Sequence, residues 1–255
     1  MIPLRDENPI RIVPWLTYLL IAINVVVFLL EQFGGIGVTS DGLVGPMAGW
    51  TMIPAEITRG QDIPTNGATL QPFYLTLFTS MFMHGGWLHL LGNMLYLWIF
   101  GNNIEDALGR PRYLFFYLLS GLAASAAQIA IGPDSVIPNL GASGAIAGVL
   151  GAYLVLFPTA KVDSLVFLGI FLTKIRVPAF VLLGFWIVSQ FFSQFLGSLM
   201  MRSGETGGVA YMAHIGGFVA GMILIKLLGG KPPRQSEYGA YDTGGSYQTG
   251  ANYRY

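Results

Sequence analysis

The stretch PWLTYLLIAINVVVFLL, residues 14–30, runs for 17 residues without a charged side chain. A bilayer hydrocarbon core of about 30 Å is crossed by about 20 apolar residues rising about 1.5 Å each. The run is therefore close to a spanning helix, and its opening proline stands where a helix start tolerates one. Five more charge-poor runs follow at 83–100, 113–131, 141–157, 177–200 and 208–228, the fourth stopped by Pro158. A seventh apolar run, 165–172, is about eight residues long and closed by Lys174 and Arg176, too short to span. It reads as an interfacial or re-entrant piece.

Composition points the same way. Of 255 residues only 13 are Lys or Arg and 13 Asp or Glu, so 10% are charged against 53% hydrophobic. An ordinary soluble domain carries about 25% charge. The expectation is an all-α membrane protein, a six-transmembrane helical bundle occupying 14–228, between a short N-terminal segment 1–13 and a Gly- and Tyr-rich tail, 229–255, read as disordered. The charges in front of the first run and the lack of a small-residue cleavage site after it argue for a retained span. A zero net charge without a basic run gives no reason to expect nucleic acid as a partner. The absence of cysteine removes disulfides, thiol catalysis and Cys-based metal sites. No metal or cofactor is expected.

Six spans divide the cations unevenly. Arg5, Arg11, Arg110, Arg112, Lys161, Lys174, Arg176, Lys226, Lys231, Arg234 and Arg254 fall on one side, and Arg59 and Arg202 on the other. The positive-inside rule then puts both termini in the cytoplasm. The external loop, about 33–72, contains Met47, Trp50, Met52 and Ile53 and is long for a connector, so it is expected to lie half in the headgroup region.

Polar groups inside spans are functional candidates because hydrocarbon tolerates them poorly. All three histidines lie in such runs: His84 and His89 in the second, His214 in the sixth. The fourth run opens Gly141-Ala142-Ser143-Gly144. Counting from the span ends puts Ser143 roughly 8 Å and His214 roughly 9 Å below the external boundary. A serine and a neutral imidazole at one depth are the minimum set for nucleophilic catalysis. His89 and Asn93 are i and i+4 on one helix face. With the backbone N–H of Ser143 they could donate to a tetrahedral oxyanion. The sixth span holds no acid and Glu205 lies nine residues before His214, so the expectation is a Ser–His dyad. The histidine would be oriented by packing and by backbone or hydroxyl contacts. His84, five residues from His89, is expected to face elsewhere and serve the loop. Ala213, Gly217 and Gly221 repeat every four residues beside His214, a ridge that lets helix backbones meet closely, while a competing reading stays open for the serine: Gly144/Gly148 and Ala147/Gly151 form a small-residue face that serves helix packing alone.

The strings Thr79-Ser80-Met81-Phe82-Met83-His84-Gly85-Gly86-Trp87-Leu88-His89-Leu90-Leu91-Gly92-Asn93, Gly141-Ala142-Ser143-Gly144 and Ala213-His214-Ile215-Gly216-Gly217, in this order, resemble the bacterial type of the rhomboid family of intramembrane serine proteases. The resemblance covers about 14–228. It implies Ser143 as nucleophile, His214 as general base and acid, and His89 and Asn93 as oxyanion donors. It also implies single-span membrane proteins as substrates, cut near their external end beside small residues where the helix is unstable. The fifth span, with Phe185, Trp186, Phe191 and Phe192, would be a lateral gate, membrane lipid the surroundings, and a prokaryotic plasma membrane the location. The chain departs from the family at two places: Gln71–Leu75 lacks a Trp-Arg pair, and Ala147 stands where some members have a tyrosine. Glu105 matches a structural position of the family, or is a solvated acid at a helix end. The alternative from another class is a non-catalytic rhomboid-like protein binding membrane clients, whose mark would be loss of the serine or histidine. A transporter would need repeated halves and acids within the spans, and a bis-His haem or zinc site an i, i+4 histidine pair. Neither substrate identity nor oligomeric state is written in the sequence.

Overall fold

The computed structural model describes residues 1–33, 37–39, 42–44, 48–63, 70–168, 171–200 and 210–232. The chain opens with β1 (Ile2–Asp6) and continues into α1 (Trp15–Phe33), a small hairpin of β2 (Gly37–Thr39) and β3 (Gly42–Val44), and the short helices α2 (Pro54–Arg59) and α3 (Thr76–Thr79). Next come α4 (Trp87–Tyr96), α5 (Asn102–Leu108), α6 (Arg110–Ile131) and α7 (Ser143–Leu156). A second hairpin, β4 (Lys161–Leu168) and β5 (Phe171–Pro178), precedes α8 (Ala179–Met200) and α9 (Tyr211–Leu227). The backbone stays helical between α4 and α5 through a π-turn at Leu97–Gly101.

Every expected span carries helix, with shifted ends. The second starts only at Trp87, after Gly86, and continues to Leu108. The fourth starts at Ser143, because Gly141 has a φ of 128°, outside the helical region. By length and apolarity α1 and α6 could each cross a bilayer. At 14 residues, α7 is about 21 Å long, against about 33 Å for the 22-residue α6. Glu205, Arg202 and the tail beyond residue 232 lie outside the described residues.

Shorter than α1 and α6, α7 is also more enclosed than either. Each residue of α7 from Gly144 to Tyr153 is buried. Apolar side chains also point outward: Leu88 is 88% exposed, and Phe185, Val188, Phe191, Phe192 and Phe195 of α8 are all exposed. Such an apolar exterior suits lipid and would be a liability in water.

Close approach of α7 and α9 follows from their glycines. A Cβ on Gly217 would strike the carbonyl oxygen of Gly144, one on Gly221 that of Gly148, and one on Gly151 that of Phe218. The small-residue faces are therefore packing surfaces, and they bring two backbones together beside Ser143 and His214.

The all-α expectation needs correcting. β4 and β5 form an antiparallel hairpin, and β1 adds to β4 to give the order β1-β4-β5. Of the stretch 165–172, read as an interfacial or re-entrant piece, the described residues 165–168 and 171–172 belong to its strands. The strands are rich in β-branched residues (Val162, Val166, Thr173, Ile175, Val177), which favour extended backbone. Segment 1–13 is likewise tied down: Pro3 pairs with Ser164, and the Arg11 backbone N–H donates to Asp106 Oδ2 at 3.1 Å. In the long loop, Met52 and Ile53 are buried and Trp50 is 39% exposed; Met47 is outside the described residues.

Candidate functional site

Ser143 is the first residue of α7. Helix N–H groups in that turn have no partner within the helix and carry the positive end of its dipole. His214 lies in the first turn of α9. Across the close α7/α9 contact, His214 Nε2 is 2.8 Å from Ser143 Oγ. On its other side Nδ1 is 2.7 Å from Oε1 of Gln190 on α8. The Trp186 ring, one turn earlier on α8, lies 5.7 Å from the imidazole at 39°.

Serine and histidine line a cavity of about 730 Å³ shared with His89, Asn93, Tyr96 and Trp186. Both α4 side chains, His89 and Asn93, therefore border the cavity that the serine lines. A Cβ on Gly141 would lie 2.9 Å from His89 Nε2 and 3.5 Å from Ser143 Oγ. Gly141 thus occupies the gap between imidazole and hydroxyl, and its positive φ disfavours any side chain. The Asn93 Nδ2 group is buried and has no hydrogen-bond partner among the described residues. Buried donors are rarely left so, and this one borders the cavity.

Two expectations about histidines change. His84 does not face away from His89: the rings meet edge to face at 5.1 Å. His84 is buried, and its backbone N–H donates to Glu31 Oε2 at 3.2 Å, so the loop before α4 is pinned to the end of α1. His214 is oriented by a side-chain amide, beyond the packing and the backbone or hydroxyl contacts expected. A single amide in an apolar helix carries no motif, so sequence reasoning does not single out Gln190. The available signal was Trp186 and Gln190 at i and i+4, which puts a ring and an acceptor on one helix face. At position 147 the chain has a buried alanine, and the ring beside the histidine comes from Trp186.

Glu105 is no solvated acid. It is 0% exposed and accepts from the backbone N–H groups of Leu16 at 3.0 Å and Thr17 at 2.7 Å, and from the Thr17 hydroxyl at 2.7 Å.

The rhomboid domain model matches residues 72–231, well over half of the chain and the part that holds His89, Asn93, Ser143, Gln190 and His214. Rhomboid protease GluP of Bacillus subtilis is 32% identical over 211 residues, covering 83% of this chain and 35% of that protein. Rhomboid protein 1, mitochondrial, of Saccharomyces cerevisiae is 31% identical over 220 residues, 82% of this chain and 51% of that one. RHOMBOID-like protein 5 of Arabidopsis thaliana is 30% identical over 164 residues, 59% of this chain and 53% of that one. The chain thus spans between about a third and a half of these relatives' lengths. With the domain match running unbroken from before α4 to beyond α9, across every element that lines the cavity, the chain belongs to the rhomboid family, a family of helical integral membrane proteins.

Proposed function

We propose that the protein is an intramembrane serine endopeptidase cleaving single-span membrane proteins through an acyl-enzyme. The observation that carries this reading is the 2.8 Å approach of Ser143 Oγ to His214 Nε2 at the edge of a cavity large enough for a peptide segment. Ser143 Oγ would attack a substrate carbonyl carbon while His214 takes the hydroxyl proton. In the tetrahedral intermediate the negative oxygen would receive hydrogen bonds from the Ser143 backbone N–H, His89 and Asn93. His214 would then hand its proton to the leaving amine as the C–N bond breaks, and activate the water that hydrolyses the ester.

The arrangement that goes with this reading is six spans over 14–228, with the mouth of the cavity at the external side and both termini cytoplasmic on the charge count of eleven cations to two. Lipid would surround the exposed apolar faces. Relatives include bacterial and mitochondrial proteins, and we place this chain in a prokaryotic plasma membrane.

A fluorophosphonate probe on the protein in detergent tests the reading without a known substrate. It should label the parent at Ser143 and leave Ser143→Ala and His214→Ala unlabelled, and neither variant should cleave a single-span reporter in liposomes. Full cleavage by Ser143→Ala would overturn the mechanism.

A further inference from the structure

We propose that Gln190 is a positioning residue that fixes which nitrogen of His214 carries the proton, making the constellation Ser143–His214–Gln190; this rests on the proteolytic reading above. A neutral imidazole has one N–H and one bare nitrogen, and only the bare one can take the serine proton. The partner of the far nitrogen decides between the two tautomers. An amide oxygen can only accept, so Gln190 Oε1 at 2.7 Å requires the hydrogen on Nδ1 and leaves Nε2 bare toward Ser143.

The two ends of an amide have the same shape, so its orientation must come from its neighbours. Here they determine it. Gln190 Nε2 is 3.2 Å from Ser189 Oγ and 3.4 Å from the Trp186 carbonyl oxygen. The Ser189 hydroxyl is 2.6 Å from that same carbonyl. Since a carbonyl cannot donate, the Ser189 proton points to it, and the serine lone pairs receive the Gln190 N–H. Turning the amide over would set its oxygen against the Trp186 carbonyl and its N–H₂ against Nδ1, forcing the ring proton onto Nε2. One direction of donation therefore runs from end to end. Ser143 donates to His214, His214 to Gln190, Gln190 to Ser189, and Ser189 to the main chain of α8.

The support is uncharged, which suits its surroundings. Among the described residues no carboxylate lines the cavity, and its other titratable members are His89 and Tyr96 on α4. An aspartate in place of Gln190 would have to be desolvated as an ion. Amides serve as the third member in some cysteine proteases, for the same orienting task. Both supports of His214, the Trp186 ring and the Gln190 oxygen, sit on α8, so the tautomer of the base depends on α8 lying against α9.

The test compares parent, Gln190→Met and Gln190→Glu in detergent by fluorophosphonate labelling rate against pH and by ¹⁵N spectra of the histidines, with thermal unfolding as a check on folding. The parent should show the Nδ1–H pattern for His214. Gln190→Met fills the same space without an acceptor, should lose that pattern, and should label about 10²-fold more slowly, the lower range for a general base. Gln190→Glu keeps the acceptor and adds a charge that favours the imidazolium. It should label faster than Gln190→Met, with the acid limb of its profile moved to higher pH. An unchanged rate and spectrum in Gln190→Met, or an unmoved profile in Gln190→Glu, overturns the assignment while leaving the protease reading intact. A parent that does not label defeats that reading, and the parent spectrum then still decides the tautomer.

Discussion

The Glu105 carboxylate closes the start of α1 from the far end of the next long helix: its Oε2 accepts both the backbone N–H and the hydroxyl of Thr17 at 2.7 Å. A helix begins with unpaired N–H groups, and Pro14, preceding α1, has no side chain to cap them. An anion at that position also suits the helix dipole. Replacing Glu105 by alanine leaves three donors without their acceptor and should lower stability by about 3 kcal/mol or more. Glu105→Gln, which keeps an acceptor but not the charge, should lose less. Unfolding in detergent, followed by circular dichroism, would show this order, and equal stability for all three proteins would refute the capping role.

The α7/α9 contact makes an equally specific demand. An added methyl at Gly217 meets the Gly144 carbonyl oxygen, main chain that cannot swing aside, whereas one at Gly184 of α8 meets nothing within 4 Å. Gly217→Ala should therefore cost about 1–3 kcal/mol, and Gly184→Ala should be neutral or gain up to about 1 kcal/mol from helix propensity. Because the same contact sets the Ser143 to His214 distance, Gly217→Ala should also slow probe labelling of whatever folds. Similar thermal midpoints for the two alanine variants would mean that the helices are not held this close.

Sequence pattern made the serine and three polar positions near it legible for a physical reason. Charge-poor helices make any polar side chain conspicuous, and helical rise converts residue number into depth, so spacing alone puts Ser143, His214, His89 and Asn93 at similar levels. What escaped depends on long-range pairing. β1 has no local strand signal; its partner residue Ser164 is supplied by a hairpin far along the chain. The alternation of Lys174, Ile175, Arg176 and Val177 was visible, yet a short apolar stretch read alone does not tell strand from interfacial turn. Glu105 and Thr17 are 88 residues apart, so no spacing rule reveals the cap. Gln190 shows its role only once α8 lies on α9.

Asp6 gives the fold a pH dependence of unusual sign. Buried on β1, it accepts from Asn103 Nδ2 and from the Tyr153 hydroxyl, each at 2.8 Å. Burial pushes its pKa from 3.8 to about 6, the hydrogen bonds opposing only part of the rise. Between these values the folded chain keeps a proton that the unfolded chain has released. This contribution therefore favours folding at low pH, declines as pH rises through about 4 to 6, and is fully lost above that window. At the scale of 1.36 kcal/mol per unit the loss is about 3 kcal/mol. Asp6→Asn should flatten the difference. Thermal unfolding from pH 4.5 to 7.5 should show the parent losing ground to the variant as pH rises, and parallel curves would sink the idea.

Asn93 and Gly141 should separate two ways of disabling the proposed oxyanion site. The Asn93 Nδ2 group is buried without a partner among the described residues, so replacing it by alanine deletes an unpaired donor and should leave stability unchanged or slightly raised. Transition-state stabilisation should fall by about 10²- to 10³-fold in kcat with KM little altered, the usual effect of losing one such donor. Gly141→Ala acts by occupancy instead: its methyl would crowd His89, with Cε1 2.8 Å away, at a φ of 128° that a side chain resists. It should block probe labelling of Ser143 and lower stability together, whereas Asn93→Ala should still label. If Asn93→Ala cleaves a reporter at the parent rate, its free amide is not an oxyanion donor, and His89 with the Ser143 N–H would have to carry that charge alone.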